Sequence, residues 1–121
     1  MVNRVTLIGN LGKDIELKEL ESGSLLGRVS LATHDNFKDR RGEWQEKTEW
    51  HEIVFWEAIA RRAEKQLKKG SLVFVEGKLI HRDYKDADGQ ERRISEVRAN
   101  YFRRLDRSEG AMQEKDPSVD S

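Results

Sequence analysis

The chain has 121 residues, 36% of them hydrophobic, with three histidines and no cysteine. That length suits one domain with one core, and the lack of cysteine excludes disulfides and thiolate metal sites and fits a reducing compartment. Its 23 basic and 23 acidic residues cancel, so a uniformly cationic chain is excluded and charge has to be read locally. No long apolar run occurs, with or without a basic segment before it, so neither a membrane span nor a signal peptide is expected.

In chain order, residues 3–8 alternate around Val5 and Leu7 and stop at Gly9-Asn10, which predicts a first strand. Residues 24–33 set Leu25, Val29 and Leu31 on one face, with Gly27 marking a bend or close backbone approach. The stretch FKDRRGEW, from Phe37 to Trp44, carries glycine, paired charges and no period, and predicts a long hairpin loop into a third strand near Thr48. From Ala58 to Lys69 the period lengthens: Ile59, Ala63 and Leu67 form one stripe and Gly70 stands where helices commonly end, which predicts a helix of about three turns. SLVFVEGKLIHR returns to strand character, DADG at 86–89 is a turn, and Val97, Ala99 and Tyr101 alternate in a fifth strand.

Five acids against two bases give residues 106–121 a charge of −3 and leave residues 1–105 at +3. That last segment also holds the single proline and few apolar residues. It cannot bury enough surface to offset the entropy of ordering, so 106–121 reads as a short disordered acidic tail on a domain spanning 1–105.

Three strands, a helix and two strands is the order of the five-stranded oligonucleotide-binding (OB) barrel, an all-β fold in which the one short helix closes an end. A small SH3-like barrel or a mixed α+β sheet can be written from similar signals.

The most informative stretch is TEWHEIVFWEA, residues 48–58. Alternation puts Trp50, Glu52, Val54 and Trp56 on one face and His51, Ile53 and Phe55 on the other. Ile53 and Phe55 are the natural core pair, so both tryptophans are expected on the outside. Leaving two indoles uncovered costs on the order of a few kcal/mol, so something must cover them. Nucleobases would serve, since every base has a stacking face and nearby cations can follow the phosphates. Phe37 precedes Lys38, Arg40 and Arg41, and Tyr84 lies between Arg82 and Lys85, so aromatic and basic residues interleave. A core or subunit-interface role for the tryptophans is the competing reading.

These blocks resemble the bacterial-type single-stranded DNA-binding proteins over residues 3 to about 100. The resemblance rests on VTLIGNLGKD at 5–14, LAT at 31–33, TEWH at 48–51, KKGSLVFVEGKL at 68–79 and DGQERRISEV at 88–97, in the family's order. It implies a non-catalytic OB-fold homotetramer, a dimer of dimers, that binds single-stranded DNA without sequence preference in replication, recombination and repair. No cofactor and no metal site are implied. Phe37, Trp50, Trp56 and Tyr84 match its stacking positions, and Lys38, Arg40, Lys69 and Arg82 match positions that contact phosphate. Arg4, Thr6 and His51 fall at subunit contacts, and the short first strand leaves an edge that a second copy could pair. The expected location is the cytoplasm with the nucleoid, a mitochondrial matrix being the alternative.

The departures matter too. Glu52, Ala58 and Asp83 stand where the family often has cations, which predicts a smaller electrostatic share of affinity. Trp44 is absent from the usual pattern and could be either an added platform or a loop anchor. The chain ends KDPSVDS, without the family's terminal proline and phenylalanine, so recruitment of replication and repair proteins through that tip is not expected.

Other motifs fall short. GNLGK at 9–13 lacks the remainder of a phosphate-binding loop, and His51-Glu52 has no second histidine at the zinc-protease spacing. Asp83, Asp86 and Asp88 suit a solvated turn better than a Mg²⁺ site. The functional alternatives are an accessory primosomal or RNA-binding barrel, and a protein-interaction barrel whose tryptophans another subunit buries.

Overall fold

The computed structural model describes residues 1–106. Of the tail expected at 106–121, all but Asp106 lies outside the described residues. The elements are β1 (Val5–Leu11), β2 (Glu16–Glu19), β3 (Leu25–Lys38), β4 (Trp44–Trp56), α1 (Glu57–Gln66), β5 (Leu72–Lys85) and β6 (Glu91–Arg104).

Five of these strands close on themselves in the order β1-β5-β6-β4-β3, and β3 returns to β1 through Asn10↔Ala32 and Leu11↔Leu31. The junction between β4 and β6 is parallel, at Ile53↔Val97 and Val54↔Arg98, and the other pairings are antiparallel. This is the expected five-stranded OB barrel. Closure brings backbones close together: a Cβ at Gly9 would collide with the Ala32 carbonyl, so only glycine fits that corner.

Within the barrel, the odd-numbered side chains of β3 from Val29 to Leu31 and of β4 from Ile53 to Phe55 point inward. Val29, Leu31, Ile53 and Phe55 are fully buried, together with Val73 and Val75 of β5. Phe55 meets Phe102 of β6 edge-on, with centroids 5.7 Å apart. Helix α1 stoppers one end of this core with Ala60 and Ala63, both fully buried.

Two boundaries differ from expectation. The helix ends at Gln66 rather than near Lys69, because Leu67 is already extended (φ −115°) and drops into the core. The chain then turns at Gly70 (φ +90°). The predicted loop from Phe37 to Trp44 shrinks to a turn at 39–43, and the strands run well past 33 and begin before Thr48, since β3 and β4 stay paired from Leu26↔Trp56 out to Lys38↔Trp44. Apolar periodicity cannot mark that extension, because the ribbon has left the barrel and both of its faces are in water. Strand β2 was not anticipated; its four residues are all exposed and pair only with the edge of β3.

The two long hairpins close with the same turn. Asp39 Oδ1 accepts from the backbone N–H groups of Arg41 and Glu43, and its Oδ2 accepts from Gln45 Nε2. Asp86 Oδ1 accepts from the N–H groups of Asp88 and Gln90, and its Oδ2 from Arg92 Nε. Each aspartate holds its turn through its own side chain, with Gly42 or Gly89 at positive φ.

Candidate nucleic-acid interface

One outer face of the barrel gathers the outward side chains of β3, β4, β5 and β6. Register aligns Arg28, Val54, Arg98 and Lys78 in a row across these strands. Val54 is buried as the floor, while Arg98 and Lys78 are exposed and Arg28 is half-buried. On β4 the same face carries Trp44 and Trp50 toward the hairpin tip and Trp56 at the helix end.

Trp50 is 60% exposed. Its indole lies against the loop after β1, where a Cβ on Gly12 would stand 2.6 Å from Trp50 Cζ3. Gly12 is itself pinned by its N–H to the Ser30 carbonyl at 2.9 Å. The ring therefore rests on a fixed backbone shelf and leaves much of its surface to solvent. The same loop reaches Lys69: Asp14 Oδ1 accepts from the Lys69 N–H at 2.7 Å, which places that exposed lysine beside the β1 loop.

Tyr84 is 40% exposed, with the Arg82 guanidinium 5.6 Å from its ring centroid. Arg82 is not a free cation. Its Nε and Nη2 donate to Glu96 at 3.1 and 3.2 Å, and Arg28 Nη1 donates to the same carboxylate. Glu96 is only 2% exposed. Burial alone would raise its pKa, but the hydrogen bonds from Arg82 and Arg28 outweigh that and the net shift is downward, so Glu96 stays ionised. Its hydrogen bond also raises the Arg82 pKa. Three charged groups thus form a unit of net +1 with two guanidinium groups held in place at the surface.

The stacking candidates divide. Trp56 is half-buried, and its indole nitrogen is sealed from water without a hydrogen-bond partner. This corrects the expectation that both tryptophans stand uncovered. Trp56 ends β4 at the N-cap of α1, opposite the buried Leu26, and the Arg98 guanidinium lies 4.9 Å from its ring centroid. Phe37 is 47% exposed, but pairs with Gln45 and so sits on the face of the ribbon opposite Trp44 and Trp50. Lys38 is on the tryptophan face, 5.3 Å from the Trp44 centroid, and Arg40 is exposed in the turn. Sequence reading missed Arg28, Lys78 and Arg98. Strand alternation carried the signal, since Arg28 adjoins inward Val29 and Arg98 lies between inward Val97 and Ala99.

The expected subunit-contact residues lie elsewhere. Arg4 Nε and Thr6 Oγ1 both donate to Glu76 Oε2, at 3.1 and 3.3 Å, on the outer face of β1 and β5. Ile8, Tyr101 and Leu105 expose apolar surface around the same region, and half-buried Phe74 meets Tyr101 edge-on at 6.0 Å. Beyond Asn10 and Leu11, no pairing with β3 covers the other edge of β1 among the described residues. His51 is half-buried, turned away from Trp50, with Nε2 2.9 Å from Thr33 Oγ1. Among the described residues no three His, Asp or Glu side chains gather into a metal site.

A closed barrel of this topology, with arginines and exposed rings on one face, defines an OB-fold protein. The chain belongs to the single-strand binding protein family, whose model matches residues 2–105. Single-stranded DNA-binding proteins of Xanthomonas campestris pv. campestris and Xanthomonas axonopodis pv. citri are each 44% identical over 104 residues, 86% of this chain. The match covers 60% and 58% of those two proteins, so the chain spans about three-fifths of their length. Among solved structures, the Plasmodium falciparum SSB complex with ssDNA superposes with a TM-score of 0.78 at 33% identity, covering 88% of this chain and 96% of that one. A deletion mutant of the Thermus aquaticus single-stranded DNA-binding protein gives 0.76 at 30% identity, covering 87% and 51%.

Proposed function

We propose that this protein binds single-stranded DNA without sequence preference and without catalysis, protecting it during replication, recombination and repair. The observation that carries the reading is Trp50: a large ring, 60% exposed, propped on the Gly12 backbone. Its face continues into the cations of Arg28, Arg82, Lys78 and Arg98. Exposing such a ring in a fixed pose is costly unless a flat partner covers it, and a nucleobase contributes roughly 1 to 3 kcal/mol on stacking there. Tyr84 supplies a further ring, Phe37 offers one on the opposite face of the ribbon, Trp56 is half-buried, and Lys38, Arg40 and Lys69 supply phosphate contacts.

The working unit in this reading is a homotetramer. The unpaired stretch of the β1 edge and the apolar surface of Ile8, Phe74, Tyr101 and Leu105 favour a second copy as the cover. A cytoplasmic, nucleoid-associated location accompanies this role.

Poly(dT) titration of intrinsic fluorescence tests the reading. Strong, salt-sensitive quenching is expected, with poly(rU) weaker. Unchanged emission would mean that protein covers the rings and would favour the protein-interaction barrel, while a preference for poly(rU) would favour the RNA-binding one. Light scattering reads the subunit count.

A further inference from the structure

We infer that Trp44, near the tip of the β3–β4 hairpin, is an additional base-stacking subsite for single-stranded DNA, continuous with that of Trp50. This rests on the DNA-binding reading above and extends its track along the ribbon.

Four observations carry it. Trp44 is 68% exposed, the most open ring of its face. Register puts it on the same face as Trp50, through Lys38↔Trp44 and Ala32↔Trp50. Six residues of strand separate the two rings, about 20 Å at roughly 3.3 Å per residue, a span of about six nucleotides at stacked spacing. Lys38 Nζ lies 5.3 Å from the Trp44 centroid, so a cation accompanies the ring, and Arg40 and Arg41 follow in the turn.

The competing role for Trp44, anchoring the loop, is already filled. The turn is held by Asp39, whose carboxylate takes hydrogen bonds from Glu43 N–H and Gln45 Nε2, the two residues flanking Trp44. The Asp86 turn has the same lock with no tryptophan beside it. The Asp39 lock holds the Glu43 backbone and the Gln45 side chain on either side of Trp44, and the Lys38↔Trp44 pairing holds its own backbone, which lowers the entropy lost when a base settles on the indole. Between the rings this face carries Glu46 opposite Asn36 and Thr48 opposite His34, with no lysine or arginine, so the gain at the tip comes mainly from stacking.

The test is ¹⁹F NMR on the full chain labelled with fluorotryptophan, giving one signal per indole, with assignments from Trp44→Phe and Trp50→Phe. On adding dT₃₅, the Trp44 and Trp50 signals are both expected to move. Trp44→Ala should weaken dT₃₅ binding by about 5- to 100-fold with an unchanged melting temperature, and Trp44→Phe should recover most of the loss. If the Trp50 signal moves and the Trp44 signal stays, the subsite is overturned and the DNA-binding reading stands. If neither moves, the DNA-binding reading itself fails and the subsite with it. An unshifted affinity in Trp44→Ala also overturns the subsite.

Discussion

The Trp50 ring lies over Gly12 so closely that a methyl group there would sit 2.6 Å from Cζ3 and 2.9 Å from Cη2. The obstacle is the far end of a side chain, which can swing aside at small cost to the fold. Gly12→Ala is therefore expected to move the indole off its shelf, cutting DNA affinity by up to about 1 to 3 kcal/mol, the value of one stacked base, while the melting temperature changes little. At Gly9 the obstacle is the Ala32 backbone carbonyl, which cannot yield, so Gly9→Ala should destabilise the barrel instead. Fluorescence titration and thermal melts on both variants separate a displaced platform from a damaged barrel.

Substitution of the rings themselves should split in the same way. Trp50→Ala and Tyr84→Ala remove exposed side chains and are expected to weaken poly(dT) binding by roughly 1 to 3 kcal/mol each in folded protein. Trp56→Ala removes a half-buried ring that lies under the Arg98 guanidinium. Its main effect should be on stability, on the order of 2 kcal/mol, read as a shifted urea midpoint.

Cations on the face differ in what they are free to give. Lys69 is exposed, and its contact with Asp14 uses the backbone rather than the ammonium group. Lys69→Ala should lower the salt slope of binding by about one, because one phosphate neutralised releases about one counterion. Arg82 already shares Glu96 with Arg28, so Arg82→Ala is expected to lower the slope by less than one while removing the guanidinium that lies over Tyr84. A slope change equal to that of Lys69→Ala would mean that DNA draws Arg82 away from Glu96.

The barrel could be read from the chain because its inner residues alternate: Val29 and Leu31, Ile53 and Phe55, Val97 and Ala99 mark three strands, and all six are buried; Tyr101, expected to continue the last series, is exposed past a register shift and Phe102 takes the inward place. The outward position of Trp50 followed from the same alternation. Alternation says which side a residue takes, but not what a neighbouring strand lays over it, and so it points to an open Trp56 although Arg98 of β6 lies over that ring. Outside the barrel the signal fades altogether. Asp35, Asn36 and Lys38 are exposed whatever their parity, so nothing apolar announces that β3 runs on to the Asp39 turn. The Glu96 unit was hidden for a different reason. Its arginines, Arg28 and Arg82, lie 68 and 14 residues away in sequence and meet only on the folded face.

Stability should fall steeply in acid, and Glu96 should set much of that fall. Its folded pKa is depressed: burial pushes it up, and the bonds from Arg82 and Arg28 more than compensate. Asp39 is lowered by the Glu43 N–H, Asp86 by the Arg92 guanidinium and Asp106 by Arg104. A carboxylate with a folded pKa below its unfolded value contributes stability that is complete above the unfolded pKa and is lost as pH falls through the folded one. The melting temperature is therefore expected to be flat from about pH 7 to pH 5 and to drop below about pH 4, near the ordinary range of Asp and Glu. Glu96→Gln should lower the neutral plateau by roughly 1 to 3 kcal/mol, since two guanidinium groups lose a charged partner, and should flatten the acid limb because one depressed carboxylate has gone. Melts of both proteins between pH 2.5 and 7 check this, and an acid limb identical in the variant would show that Glu96 is protonated outside the transition.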